Sequence, residues 1–161
     1  MSKSNEPATA ALADIYHHGL LVADLAATMA ALGPALGVEW APVRSFSPMP
    51  MWLADGTEAV AHLKVAYSRQ GPIHLELIEA RPGDAYGALR AENQAHLGVW
   101  VEDLAGEAEA LLAAGWRMVL SGAPAASGYG LIAYLAPPDG GPVVELVSAA
   151  LRGAMAEWWA S

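Results

Sequence analysis

His96-Leu97-Gly98-Val99-Trp100-Val101-Glu102-Asp103-Leu104-Ala105 reads as an apolar strand running into a helix, with an aspartate at the junction. The same text stands earlier in the chain, as His17-His18-Gly19-Leu20-Leu21-Val22-Ala23-Asp24-Leu25-Ala26. Histidine, glycine, valine, aspartate, leucine and alanine recur in register, 79 positions apart (96 − 17). Self-similar halves are read first as structural repeats. Asp24 and Asp103 suit the N-cap of a helix, where a carboxylate accepts a hydrogen bond from an otherwise orphaned backbone N–H.

The closing segments of the halves match as well. His74-Leu75-Glu76-Leu77-Ile78 aligns with Val143-Val144-Glu145-Leu146-Val147, one glutamate per strand, 69 positions apart (145 − 76). Strand alternation puts Leu75 and Leu77 on one face and Glu76 with Ile78 on the other; Val144 and Leu146 oppose Glu145 in the same way. An unpaired carboxylate inside an apolar strand costs several kcal/mol or takes up a proton. Two imidazoles, His17 and His96, and two carboxylates, Glu76 and Glu145, can balance one another around a divalent cation. Nitrogen and oxygen donors without sulfur suit Ni, Co, Mn, Fe or Zn better than Mg. Taken singly, a strand histidine is more often a core or surface residue, and Glu76 could pair with His74 instead. The joint recurrence favours the cation. His18 is the register alternative to His17, and the repeat favours His17 because His96 also stands two residues before its glycine. His62 and His74 have no counterparts and are read as non-ligands. Glu79 and Glu102, at strand ends, are read as solvated.

Between these landmarks each half reads β-α-β-β-β. In the first, a strand over Ile15–Val22 precedes a helix with Leu25, Met29, Leu32 and Leu36 on one face, stopped by Gly37. A strand over 40–46 is broken by Ser47-Pro48-Met49-Pro50. Strands over 59–67 and 73–80 follow, joined at Gln70-Gly71-Pro72. The second half repeats the order: a strand over Ala95–Val101, then a helix with Leu104, Ala108, Leu111 and Leu112 facing inward and Gly115 as its stop. Strands over 116–120, 131–135 and 143–147 complete it, with a turn at 137–141. The expected divisions are a tail over 1–13, a first module over 14–81, a polar linker over 82–93, a second module over 94–148 and a terminal helix over 149–161. The fold class is α+β, a curled mixed sheet; the pattern leaves parallel and antiparallel pairing open.

Composition narrows the function. The formal net charge is −9, with 8 Lys and Arg against 17 Asp and Glu, which excludes a phosphate-gripping nucleic-acid surface. With no cysteine, disulfides and thiol nucleophiles are excluded. Residues 1–13 carry Lys3, Glu6 and Pro7 without an apolar core and do not read as a signal peptide. The longest uncharged run, 25–38, contains Gly33, Pro34 and Gly37 and is too short for a bilayer. A cytoplasmic protein with a small-molecule partner, and no membrane or nucleic-acid partner, is expected. Trp158 and Trp159 in the terminal helix suit either a homodimer contact or packing on their own domain.

The His-x-Gly-x-x-Val-x-Asp-Leu opening, its second copy and the two closing glutamate strands resemble the vicinal oxygen chelate superfamily, which comprises the glyoxalase, bleomycin resistance, methylmalonyl-CoA epimerase and extradiol dioxygenase proteins. The resemblance covers roughly residues 15 to 148. It implies two βαβββ modules curled around a shared cleft holding one metal ion, with the ligand positions on His17, Glu76, His96 and Glu145. This donor set is like that of glyoxalase I; methylmalonyl-CoA epimerases usually carry glutamine where Glu76 stands, and extradiol dioxygenases use two histidines and one glutamate. The implied chemistry is a metal-dependent lyase, isomerase or epimerase reaction by proton abstraction beside a carbonyl, with Glu145 as base and Glu76 as its pseudo-symmetric partner. Alternatives are a non-catalytic small-molecule binding protein of the same fold and an iron-dependent dioxygenase. Scattered arginines offer no grip for a long anionic tail. Abundant aromatic residues, with Trp100, Trp52 and Tyr129 as candidate substrate contacts, favour an apolar or aromatic oxygenated substrate.

Overall fold

A computed structural model describes residues 14–161; the N-terminal tail over 1–13 lies outside the described residues. The chain order is β1 (Ile15–Val22), α1 (Leu25–Leu36), β2 (Arg44–Leu53), β3 (Glu58–Tyr67), β4 (His74–Ala80), α2 (Gly87–Glu92), β5 (Ala95–Val101), α3 (Leu104–Ala113), β6 (Arg117–Ser121), β7 (Ile132–Ala136), β8 (Val143–Ser148) and α4 (Arg152–Ala160). The eight strands close into one barrel in the order β1-β4-β3-β2-β6-β7-β8-β5. This is the α+β arrangement of paired βαβββ modules, a mixed sheet curled on itself. No helix among the described residues is long and apolar enough to cross a membrane.

The repeat shows in the pairing. β1 runs parallel to β4, and β5 runs parallel to β8. The two first strands, β1 and β5, lie antiparallel to each other and join the halves. Each half's helix covers its own outer sheet face. Leu25 packs with Ala66 and Leu77, and Met29, Leu32 and Leu75 lie against them. Leu104 and Ala108 pack with Leu135 and Leu146 in the same way. The leucines opposite the glutamates therefore face the helices, and the glutamates face the barrel interior. Both helix starts are capped as their aspartates require: Asp24 accepts from Ala27 N at 2.8 Å and Asp103 from Gly106 N at 3.0 Å. Gly37, at φ 67°, ends α1 in the left-handed region.

One strand departs from expectation. β2 starts at Arg44 and continues through Ser47-Pro48-Met49-Pro50, which does not break it. Trp40 makes only an isolated bridge to Ser68. Two features make the prolines tolerable. The pairing of β2 with β3 shifts register between Phe46 and Met49, and β2 meets β6 only at Trp52 and Leu53. Residues 44–51 are therefore an edge, where a missing N–H breaks no ladder. The polar stretch between halves contains α2, tied to β6 by a two-pronged Arg117–Glu92 ion pair at 2.9 and 3.0 Å. At the C-terminus, α4 folds back over the barrel mouth. Trp158 is buried there, and its indole N–H donates to Pro42 O at 2.7 Å. Trp159 stacks on His74, with ring centroids 3.7 Å apart. Both tryptophans are thus used within their own chain.

Candidate metal centre and its cavity

Four strands bring the donor set together. In the antiparallel β1–β5 pair, His17 lies opposite Gly98 and His96 opposite Gly19. The parallel neighbours add the carboxylates, with Gly19 opposite Glu76 and Gly98 opposite Glu145. Each glycine is thus flanked by the histidine of the other half and the glutamate of its own. A Cβ on Gly98 would overlap the His17 ring, and one on Gly19 would overlap the His96 ring. The repeated glycines are the floor on which the partner imidazoles lie.

The convergence is tight. His17 Nε2 lies 3.2 Å from His96 Nε2 and 2.9 Å from Glu145 Oε2. His96 Nε2 lies 3.0 Å from Glu76 Oε2 and 3.3 Å from Glu145 Oε2. All four residues are buried, and one donor atom from each lies within 4.8 Å of the others. A first-row cation held at about 2.1 Å puts neighbouring donors about 3.0 Å apart at right angles and about 3.4 Å apart at tetrahedral angles. The observed spacings fall on those values. Glu145 Oε2 is buried without a well-formed hydrogen bond, although it touches both imidazoles, as expected of lone pairs aimed at a shared centre. The cluster could therefore bind a divalent metal. The far ring nitrogens, Nδ1 of His17 and His96, find no partner among the described residues. Packing against glycine and aromatic rings, rather than an outer hydrogen bond, orients these imidazoles.

Charge coupling inside the cluster is strong. Burial pushes the His96 pKa down, but the Glu145 and Glu76 carboxylates outweigh it and hold it at about 10. Burial pushes Glu145 up, while His17 and His96 outweigh it and hold the carboxyl at about 2. Four tyrosines surround the carboxylates. The Tyr67 hydroxyl donates to Glu76 Oε1, and Tyr134 Oη lies 3.1 Å from Tyr86 Oη. Burial first, and the nearby negative charge second, pushes the pKa of Tyr16, Tyr67, Tyr86 and Tyr134 well above the usual phenol value. They stay protonated donors. Tyr67 pairs across the sheet with Glu76, and Tyr134 with Glu145. Sequence reasoning passed over these tyrosines. The signal was available, because reflecting each glutamate across the turn before its strand lands on a tyrosine.

The carboxylates open into a cavity of about 560 Å³ walled by β2, β3, β4, β7 and β8 and roofed by α4. Its lining is apolar apart from the tyrosines, the two glutamates and Arg44. The three aromatic residues put forward as substrate contacts stand elsewhere. Trp100 lies behind the wall, stacked on Tyr16 with centroids 3.8 Å apart. Trp52 and Tyr129 line a separate cavity of about 460 Å³ that contains none of the four donors. Among the remaining histidines, His18 is exposed, His62 Nδ1 lies 2.5 Å from Ser47 Oγ, and His74 is bonded through Nδ1 to Ser68 O at 2.7 Å. None of them joins the cluster. Glu79 is not simply solvated: it accepts from Leu25 N at 2.8 Å and pairs with Lys64 at 3.1 Å.

Residues 16–134 match the family model described as the Glyoxalase/Bleomycin resistance protein/Dioxygenase superfamily. The chain belongs to this superfamily. Solved structures with the same fold include methylmalonyl-CoA epimerase from Mycobacterium tuberculosis, 19% identical, TM-score 0.56, covering 93% of this chain and 97% of that one. A single-residue variant of the Streptomyces coelicolor methylmalonyl-CoA epimerase, in complex with 2-nitronate-propionyl-CoA, is 21% identical with TM-score 0.56, covering 85% and 97%. A hypothetical protein from Bacillus halodurans C-125 is 15% identical with TM-score 0.57, covering 83% and 92%. At such identities the likeness to solved structures is one of fold. No curated protein matches the chain. This chain carries a buried His17/Glu76/His96/Glu145 set.

Proposed function

We propose that this glyoxalase-superfamily chain is a metal-dependent lyase, isomerase or epimerase that removes and returns a proton beside a carbonyl of a small oxygenated substrate with an apolar or aromatic body. The observation that carries the reading is the meeting of His17, Glu76, His96 and Glu145 in one buried cluster whose two glutamates line an apolar cavity. A divalent ion held by His17, Glu76, His96 and Glu145 would supply Lewis-acid polarisation of the substrate's carbonyl.

The chain's own groups divide the remaining work. Glu76 is held by the Tyr67 hydroxyl at one oxygen and faces His96 with the other, which suits a fixed ligand. Among the described residues Glu145 has no such tyrosine bond: its neighbour Tyr134 is engaged with Tyr86 instead. A carboxylate with a free edge can take a proton from a carbon and give it back. We therefore assign the base role to Glu145 and the positioning role to Glu76. The protonated tyrosines donate hydrogen bonds without adding negative charge, and the apolar walls suit an apolar substrate body. Return of the proton by Glu145 to the neighbouring carbon is isomerisation; epimerisation needs a second donor on the opposite face of the carbon while Glu145 keeps the proton it took.

The test is solvent deuterium exchange. Nickel-loaded protein in D2O is incubated with a panel of aryl-substituted 2-hydroxy ketones and 2-substituted 3-oxo acids, and exchange beside the carbonyl is followed by NMR. Exchange in at least one compound, lowered about 100-fold or more by Glu145→Gln while nickel still binds, is expected. Tight binding of panel members with no exchange would instead make this a sequestering protein.

A further inference from the structure

Three charged side chains line the main cavity: Glu76, Glu145 and Arg44. Resting on the metal reading above, two carboxylates and two neutral imidazoles offset a divalent charge, so the loaded floor is formally neutral. Arg44 then leaves the cavity with one positive charge. Its guanidinium sits 4.4 Å from the centre of the Trp158 ring, near the mouth. In a chain with 17 acidic and 8 basic residues, carboxylate partners are plentiful. Arg117 takes Glu92, Arg152 approaches Glu102 and Lys64 takes Glu79. Arg44 makes no ion pair among the described residues. Stacking on an indole face fixes the plane of a guanidinium while leaving its N–H fork free for a planar anion.

Register gives the spacing. Arg44 pairs with Val65, Val65 pairs with Ile78, and Glu76 stands two residues along from Ile78. Two strand spacings of about 4.8 Å and two residue rises of about 3.4 Å put the Arg44 and Glu76 Cα atoms about 12 Å apart over the sheet. By the same register Val65, Ile78 and Tyr67 lie between them, while Phe46, Leu63 and Met51 line the cavity on the other side of Arg44 and Met155 closes over it from α4.

We propose that Arg44 is a specificity residue that binds a single anionic group, a carboxylate, at the far end of a substrate whose body is apolar and whose oxygens meet the His/Glu floor. A matched probe pair tests this: 8-anilinonaphthalene-1-sulfonate, and N-phenyl-1-naphthylamine, which lacks the sulfonate. Affinities are read by fluorescence on nickel-loaded and metal-free protein, for the wild type and for Arg44→Gln, Arg44→Met and Arg44→Lys, with near-ultraviolet circular dichroism confirming the fold. The expected result is that the sulfonate-to-neutral affinity ratio falls at least fivefold in Arg44→Gln and Arg44→Met and stays within fivefold of wild type in Arg44→Lys. A ratio that falls less than fivefold in both neutral variants, or equal loss of both probes, overturns the proposal; equal loss would mean that Arg44 only props Trp158. Nickel affinity is measured separately. Its absence in the wild type would remove the metal reading, while the probe ratio on metal-free protein still decides Arg44.

Discussion

An imidazole of the cluster lies against backbone that has no side chain, and this dependence is reciprocal between His17 with Gly98 and His96 with Gly19. Gly98→Ala puts a methyl inside the His17 ring, so either the ring or β5 must move. We expect nickel affinity to fall at least about 10-fold and stability to drop by about 1–3 kcal/mol, the usual cost of overpacking. Calorimetric nickel titration and denaturant melts check both; unchanged affinity would mean the ring has room it does not show. A second prediction follows from protonation. His96 holds its proton to about pH 10 in the metal-free chain, so a cation must displace it. Nickel binding at pH 7 should release about one proton, read from titrations in buffers of different ionisation enthalpy. At this scale the sequence showed a great deal. The His-x-Gly repeat and the two strand glutamates picked out the four residues that the fold gathers into one buried cluster, because duplication keeps residue types in register. The tyrosines were hidden because their role depends on cross-strand pairing, which a one-dimensional pattern shows only after the turn is centred.

Elements position those residues, and they differ in how plainly sequence announces them. α1 and α3 were legible from capping aspartates and helical spacing, since both signals are local. Replacing Asp24 or Asp103 with alanine should cost about 1 kcal/mol each in denaturant melts. The caps lie in separate halves, so the double variant should show the sum. β2 was misread at Ser47-Pro48-Met49-Pro50 because proline rules describe strands paired on both sides, and these residues pair on one. α4 was expected as a helix, but its seat over the cavity rests on long-range contacts of Trp158 with Pro42 and Tyr67. Trp158→Ala should destabilise the chain by about 3–5 kcal/mol, and should weaken anionic probes by removing the platform under Arg44. A loss near zero in thermal melts would mean that α4 is not seated as described.

At the level of the whole molecule, closure of the barrel buries two carboxylates beside two imidazoles in one interior, a donor set that a divalent cation would neutralise. In the metal-free chain, His96 has a folded pKa of about 10, above its ordinary 6.5. Its stabilising effect is therefore complete below about pH 6.5 and is lost as pH rises through 10. Glu145, at about 2 against an ordinary 4.5, contributes above about pH 4.5 and loses its effect as pH falls through 2. Together they put the metal-free optimum between about pH 4.5 and 6.5. Nickel at about 100 times its Kd should add about 2.7 kcal/mol, and its effect should grow from about pH 6.5 to about 8.5 as protons compete less. The duplicated architecture was readable from the two matching stretches, whereas closure into a barrel and the site of α4 were not, since neither leaves a periodic mark. The central claim is that two imidazoles and two carboxylates from four strands hold one cation. Anomalous diffraction from nickel-soaked crystals tests it directly: the account predicts one peak per chain within about 2.3 Å of His17, Glu76, His96 and Glu145 donor atoms, and a peak elsewhere, or none, would contradict it.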